Sequence, residues 1–243
     1  MKREVFTYEV LDSTNEEAIR ILSSRVQKWP FFVRADYQTA GRGRSANFWI
    51  SEKGKNLLLS WIVFPEFLSV THQFQLSKSV SLAIVDMLKQ FGIDAAIKWP
   101  NDIIAEKKKL GGILIEHSIT AYSIRHTIIG IGININQVDF PDFPYEATSM
   151  HNVGGNRFSV EDVSHAQITA LERRYGQLEQ EKHAELNAAY LKHLYMLNKE
   201  ARFSADNREF RATIRGVNDL GELLLEGKDG LMNYGFHQIK MHY

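Results

Sequence analysis

The apolar positions change period several times along the chain, and each change marks an element. Residues 5–10 alternate apolar and polar side chains as a strand does. In the "DSTNEEA" that follows, Ser13 with Glu16 and Thr14 with Glu17 both have capping-box spacing. A helix carrying Ala18, Ile19, Ile21 and Leu22 then runs to about residue 24. "FFVRADY" reads as a strand leading into a Gly/Arg loop, and "NLLLSWIVF" as a more buried strand closed by Pro65. From Thr71 to Phe91 the positions Leu76, Val80, Ile84, Met87, Leu88 and Phe91 keep helical spacing, with Gly92 as the stop.

The next segments are short strands with tight turns: "AAIKWPND", "II", the turn "AEKKK", "LGGILIE" and "SIRHTIIGIGININ". The stretch from Gln137 to Asn156 holds two of the five prolines and an "NVGGN", which predicts a long loop. Helical spacing resumes from Val160 to Leu197, with a break expected near Gly176. Beyond Asn198 the texture becomes short alternating runs, "REFRATIRGV", "ELLLEG" and "LMNYGFHQIKMHY", separated by turn residues. These predict a small all-β barrel and a domain boundary near residue 197.

Composition narrows the function. The 243 residues include 29 Lys+Arg against 29 Asp+Glu, a balance that disfavours a general nucleic-acid binder. There is no cysteine, which removes disulfides, thiolate metal sites and cysteine nucleophiles. The N-terminal stretch has no apolar signal core, and the longest apolar run, around "LLLSWIVF", is too short to span a membrane. A soluble, cytoplasmic protein is expected.

Four segments combine glycine or turn character with polar residues: "DSTN" (12–15), "QTAGRGRSANFW" (38–49), "KWPND" (98–102) with "KKKLGGILIE" (107–116), and "IGIGININ" (129–136). The Gly/Arg loop lacks the P-loop pattern, and Ala46 stands where a Rossmann fingerprint needs its last glycine. Alternating Gly41, Arg42, Gly43 and Arg44 still suit a backbone wrapped around an anion, because arginine offers a planar cationic fork. An exposed turn with two solvated arginines is the alternative. Lys107 to Lys109 could simply solvate a hairpin, but Gly111 and Gly112 mark a close backbone approach next to Lys109. Asn101 and Asp102 fit ordinary turn chemistry. Gly130 and Gly132 share one strand face while Ile129, Ile131 and Ile133 share the other, leaving bare backbone for a flat ligand or a close helix crossing. No H-E-x-x-H and no G-x-S-x-G occurs. Cationic clamps without a protein nucleophile fit a reaction in which the substrates supply it, such as adenylation of a carboxylate.

Taken together, "DSTN", "QTAGRGR…W", "KWPND…KLGGILIE" and "GIGIN" resemble the biotin–protein ligase (biotin–[acetyl-CoA-carboxylase] ligase) family in order and spacing, over nearly the whole chain. The resemblance implies an α/β (α+β) fold. A mixed-sheet catalytic domain over residues 1–197, related to class II aminoacyl-tRNA synthetases, would precede an SH3-like barrel over 198–243. It implies the ligase-only form, since the first catalytic strand begins close to Met1. Biotin and MgATP would give biotinyl-5′-AMP and pyrophosphate, and the biotinyl group would pass to a lysine of a biotin carboxyl carrier protein. Carried across by motif, Ser13, Thr14 and Gln38 would bond the ureido ring, with Asn15 and Gly41 in the same binding set. Arg42, Gly43 and Arg44 would close over the carboxylate and phosphates, and Lys109 would neutralise charge where they meet. Trp49 would pack on adenine, with Asn101 and Asn134 at its edge; Gly112, Gly130 and Gly132 would floor the pocket, with Gly111 in the same binding set. Asp102 would position or deprotonate the incoming lysine. ATP and Mg2+ are the implied cofactors and no metal ligand is assigned. A homodimer is possible; neither DNA nor membrane is an expected partner.

Ser45, Ala46 and Asn47 depart from the family loop, which continues with a further glycine and arginine. A lipoate–protein ligase, a degenerate inactive ligase and a non-catalytic nucleic-acid module are the alternatives.

Overall fold

The computed structural model describes residues 4–24, 29–44, 47–120, 123–143, 145–206, 208–228 and 230–242. Strands β1 (Val5–Leu11), β2 (Phe31–Gln38), β3 (Asn56–Val63), β4 (Ala96–Lys98), β5 (Asp102–Ala105), β6 (Lys108–Ile119) and β7 (Ile124–Asn134) form one sheet in the order β1-β2-β3-β7-β6-β5-β4. β1 and β2 run parallel and the remaining neighbours antiparallel. The parallel pair needs a crossover, which helix α1 (Thr14–Ser24) supplies.

The two faces of this sheet have different fates. Helix α2 (Phe74–Gln90) is buried along almost its full length. It packs with α4 (Val160–Glu179) and α5 (His183–His193) against one face. Leu57, Leu59, Trp61 and Val63 of β3 enter that core together with Ile129, Ile131 and Ile133 of β7. Gly92, at φ +75°, lets the chain turn out of α2, as its position after the apolar run predicts. The opposite face is covered only in part, by Ala18 and Ile21 of α1 over Phe31, Val33, Ile62 and Ile128. The uncovered remainder of that face is where the chemistry-bearing segments meet.

The small C-terminal sheet contains β8 (Glu200–Ala205), β9 (Arg208–Val217), β10 (Leu223–Gly227), β11 (Gly230–Tyr234) and β12 (Lys240–Met241), in the order β11-β10-β9-β8-β12. Phe203, Ala212, Ile214, Leu223 and Leu225 join the same core as α2 and the large sheet. Trp99 Nε1 donates 2.8 Å to the Gly221 carbonyl, and Phe236 lies 5.6 Å from the Trp99 ring. The two sheets are therefore fastened at the "KWPND" turn.

Several expectations change. The long helical region breaks at residues 180–182, where Glu181 takes φ +55°, and not at Gly176, which stays helical. The predicted loop after Gln137 contains a short helix, α3 (Met150–Gly154). Ser149 Oγ caps it by accepting from Asn152 N, and Gly155 ends it at φ +73°. Strand β8 was not predicted, and the helix α1 carboxylates do not close capping boxes. Glu17 instead accepts from Tyr8 and Arg20, and Glu16 pairs with Arg42.

Candidate active site

The floor of the site is backbone. In β7, Gly130 pairs with Leu114 of β6 and Ser60 of β3, and Gly132 pairs with Gly112 and Leu58. These residues share one face, so three glycines leave a shallow trough flanked by Leu58 and Leu114. The trough is part of a small cavity that also takes in Ser13, Thr14, Asn15, Gln38 and the Gly/Arg loop.

One end of the trough is polar and neutral. The start of α1 crosses it so closely that a side chain at Gly130 would meet Asn15 Oδ1 at 2.7 Å. Thr14 N and Oγ1 both donate to Gln38 Oε1, at 2.8 and 3.0 Å. Ser60 Oγ lies 2.7 Å from Thr14 Oγ1 and 2.5 Å from Asn15 Oδ1. Ser13, Thr14 and Asn15 are almost fully buried, so this end presents an ordered set of donors and acceptors with little water.

The other end is cationic, and a β-bulge creates it. Ile103 pairs with Gly111 while Ile104 pairs with Lys109, so Leu110 is an extra residue on β6. The extra residue re-aims Lys109 onto the face of Gly112, whose side-chain position lies 3.5 Å from Lys109 Cε. It also turns the Lys109 backbone outward, where its N–H donates to Glu146 O and its carbonyl accepts from Thr148 N. Lys109 Nζ is 2.7 Å from Asp102 Oδ1 and 4.9 Å from the Tyr145 ring centre.

The Gly/Arg loop closes on itself. Gly43 N donates to Asn47 O, Asn47 N and Nδ2 both donate to Arg44 O, and Trp49 N donates to Gly41 O. Asn47, one of the departures from the usual loop, is thus a closing group; Ser45 and Ala46 lie outside the described residues. The alternation sends the two arginines apart. Arg42 pairs with Glu16 and Glu116 at the edge of the trough. Arg44 turns towards the C-terminal sheet, 5.1 Å from the Phe236 ring centre, and its Nη2 is buried without a partner. Burial pushes the Arg44 guanidinium below its ordinary pKa, and Asp102 partly offsets this.

The residues matched by the biotin/lipoate A/B protein ligase family are 7–134, the span that contains the whole trough. The chain belongs to this family. It is 32% identical over 235 residues to the bifunctional ligase/repressor BirA of Bacillus subtilis, covering 95% of this chain and 72% of the relative. It is 29% identical to the biotin–[acetyl-CoA-carboxylase] ligase of Paracoccus denitrificans, covering 90% and 92% of the two chains. The biotin protein ligase from Aquifex aeolicus, solved in complex with biotin and ATP, shares the fold, with TM-score 0.83 at 23% identity over 100% and 99% of the chains.

Within this family framework, most of the expected residues converge: Ser13, Thr14, Asn15, Gln38, Arg42, Gly43, Arg44, Trp49, Asn101, Lys109, Gly112, Gly130 and Gly132 line one cavity. Gly111 does not. Its missing side chain would meet Ile133 Cδ1 at 2.8 Å, because plain alternation with Gly112 turns it to the core. Gly41 sits behind the loop, where a side chain would strike Trp49 O at 2.5 Å. Asn134 lies in a neighbouring small pocket beside Trp49, Phe143 and Tyr145, donating to Thr148 O. Asn101 lines the main cavity but donates to Ile113 O.

Four contributors were missed. Glu116 accepts from Asn15 Nδ2 at 2.7 Å and from Arg42 at 3.0 Å, joining the two ends of the site. Its place two and four residues beyond Leu114 and Gly112 on one strand face was a readable signal. Ser60 could have been suspected as a lone hydroxyl in an otherwise apolar strand. Tyr145 and Phe236 come from distant loops and left no local signal.

Proposed function

We propose that this chain is an ATP-dependent biotin–protein ligase. It activates biotin as biotinyl-5′-AMP and passes the biotinyl group to one lysine of a biotin carboxyl carrier protein or domain. The observation that carries this reading is the polarity of the trough: buried neutral hydrogen-bonding groups at one end, Lys109 with Arg44 at the other.

A ureido ring is flat, uncharged and rich in donors and acceptors. Thr14, Asn15, Gln38 and Ser13 provide matching partners, and the glycine floor lets the ring lie against backbone. Selection by such buried groups is strong, because a ligand lacking the matching atoms leaves them unpaired. The carboxylate of the side chain then reaches Lys109. There one carboxylate oxygen bonds the α-phosphorus of ATP as the bond to the β-phosphate oxygen breaks and pyrophosphate departs. Lys109, held by Asp102, offsets charge at that junction, and Trp49 with Tyr145 offers faces for a base. In the second step a neutral lysine amine bonds the acyl carbon and AMP leaves with the bonding pair. Asp102, next to the junction, positions that amine and takes its proton. Magnesium commonly takes one or two carboxylates and the substrate's own phosphates. Asp102 is the carboxylate beside Lys109, and the ion would supply charge neutralisation there.

No helix among the described residues is long and apolar enough to cross a membrane. We place the enzyme in the cytoplasm, with residues 1–197 as catalytic domain and 198–243 as the C-terminal domain. The deciding experiment is ATP–pyrophosphate exchange with biotin, with lipoate, and with neither. Exchange that depends on biotin alone is expected; exchange driven by lipoate would reassign the substrate.

A further inference from the structure

Three elements that bound the trough meet at one carboxylate. Glu116 lies on β6, on the same face as Gly112 and Leu114, with its side chain half-buried. One of its oxygens accepts from Asn15 Nδ2 of α1 at 2.7 Å, the other from Arg42 Nη2 of the Gly/Arg loop at 3.0 Å. Glu16, the next residue of α1, takes the Nη1 branch of the same arginine. Arg42 thus bridges helix and strand with both branches of its fork.

The first bond of Glu116 dictates an orientation. An ionised carboxylate only accepts, so the Asn15 amide must turn its nitrogen to Glu116 and its oxygen away. That oxygen occupies the space over Gly130 and lies 2.5 Å from Ser60 Oγ. Ser60 Oγ is in turn 2.7 Å from Thr14 Oγ1, and Thr14 bonds Gln38. Glu116 therefore heads a chain of bonds through Asn15, Ser60 and Thr14 to Gln38, and it is the charged member. Asn15 is almost fully buried, so a reversed amide would leave groups unpaired away from water.

The second bond fixes a loop. Arg42 pairs with Phe48 across the loop, and Trp49 N donates to Gly41 O beside that pair. Trp49 is the residue that lies on Gly132. Holding Arg42 against α1 and β6 therefore also holds the arm that carries the indole. With a carboxylate on each branch, the Arg42 charge is answered within the protein, and Lys109 and Arg44 are left to face an anion in the cavity.

We propose that Glu116 is a positioning residue for biotin: it orients the Asn15 amide and, with Glu16, holds Arg42 as a clasp on the loop and not as a ligand of the substrate carboxylate. This rests on the ligase reading above and deepens it by giving a role to a carboxylate that touches no reacting atom.

The test uses Glu116→Gln, which keeps the shape and removes the charge, Arg42→Gln, and the double variant. Thermal unfolding confirms that each is folded. Calorimetry without ATP gives the dissociation constants of biotin and of its uncharged methyl ester, and biotin-dependent exchange gives the KM for ATP. Glu116→Gln loses a charge-assisted bond and should weaken acid and ester alike by about 10-fold or more, with the KM for ATP close to wild type. Arg42→Gln should also weaken both ligands equally, whereas an arginine that held the carboxylate would spare the ester. The double variant should lose less than the sum of the singles, because both act through one network. Raising salt from about 0.1 M to about 1 M should weaken ester binding in wild type and leave the double variant unchanged, since the ligand itself is neutral.

Unchanged affinities in folded Glu116→Gln would overturn the proposal. So would additive losses, or a loss in Arg42→Gln confined to the acid. A wild-type protein that binds neither ligand would remove the ligase reading, whereas wild-type binding with unaffected variants would remove only this role for Glu116.

Discussion

The indole of Trp49 lies on the bare backbone of Gly132, in the space that any side chain at that position would fill. One strand position and one loop position are thereby made interdependent. Gly130, two residues earlier on the same face, accommodates the Asn15 amide in the same way. Gly132→Ala should displace Trp49 and cost about 1–3 kcal/mol of stability. Gly130→Ala should push Asn15 off its contact with Ser60. The two alanines should separate in function: Gly132→Ala raising the KM for ATP, Gly130→Ala raising the KM for biotin. Steady-state exchange kinetics read both, and equal effects on both substrates would contradict the division of the trough into two ends.

Lys109 is the best-placed cation for the developing charge, being 16% exposed and fixed by Asp102 and by its own backbone bonds to residues 146–148. Lys109→Ala should lower the rate of adenylate formation by about 10²- to 10³-fold, the range found when one preorganised charge-stabilising group is removed. Intact adenylation in this variant would remove Lys109 from the mechanism. Asp102→Asn should slow single-turnover transfer from preformed adenylate to the carrier more than it slows adenylation. An unchanged transfer rate would leave Asp102 only its ion pair with Lys109.

At the neutral end, Gln38 Oε1 accepts two hydrogen bonds from Thr14. Gln38→Ala strips the acceptor from a nearly buried N–H and hydroxyl, at a cost of about 1–3 kcal/mol. Because those groups also line the trough, biotin affinity should fall by about 10-fold or more, measurable by calorimetry. Thr14→Val removes only the hydroxyl and should give a smaller loss in stability with a comparable loss in affinity.

Lys98 gives the protein a pH dependence. Its charged form in the folded chain is lost as pH rises through about 8, because burial lowers its pKa. The sign for stability is opposite to that of a paired lysine. Between about 8 and the ordinary 10.5 the unfolded chain holds the extra proton, so this group's contribution to stability rises with pH across that window. In Lys98→Met the rise in unfolding free energy with pH above about 8 should flatten, as denaturant unfolding at a series of pH values would read. A profile identical to wild type would show that another group titrates there.

The bond from Trp99 Nε1 to the Gly221 carbonyl ties the two sheets at a buried point. Trp99→Phe keeps the ring packing against Phe236 and removes the donor, leaving a buried carbonyl unpaired. Thermal or denaturant unfolding should report a loss of about 1–3 kcal/mol in a single transition, because one core serves both sheets. A separate early transition for the C-terminal sheet would mean that the shared core does not couple them.

Much of the fold was written in local periodicity. The β3 run, the α2 stripe and its glycine stop, and the glycine face of β7 are all short-range patterns, and each appears where it was expected. The failures have a common physical origin. Gly176 looked like a helix breaker, but a helix packed along one face tolerates a glycine, and the break went to Glu181. Ser13 and Thr14 read as caps with Glu16 and Glu17, yet tertiary partners Gln38, Ser60 and Arg42 took those groups instead. Gly111 was grouped with its neighbour Gly112 in the binding set, although alternation along β6 sends the two to opposite faces.

The extra residue at Leu110 makes the count of residues, rather than any side chain, the determinant of where Lys109 points. Inserting or deleting one position between Ala105 and Gly111 would break the match between the β5–β6 turn and the β6–β7 register, so that the bulge could no longer form as it does beside Lys109. Natural or laboratory drift in this family member should therefore accept many substitutions in the turn around Glu106 and Lys107, and almost no insertions or deletions.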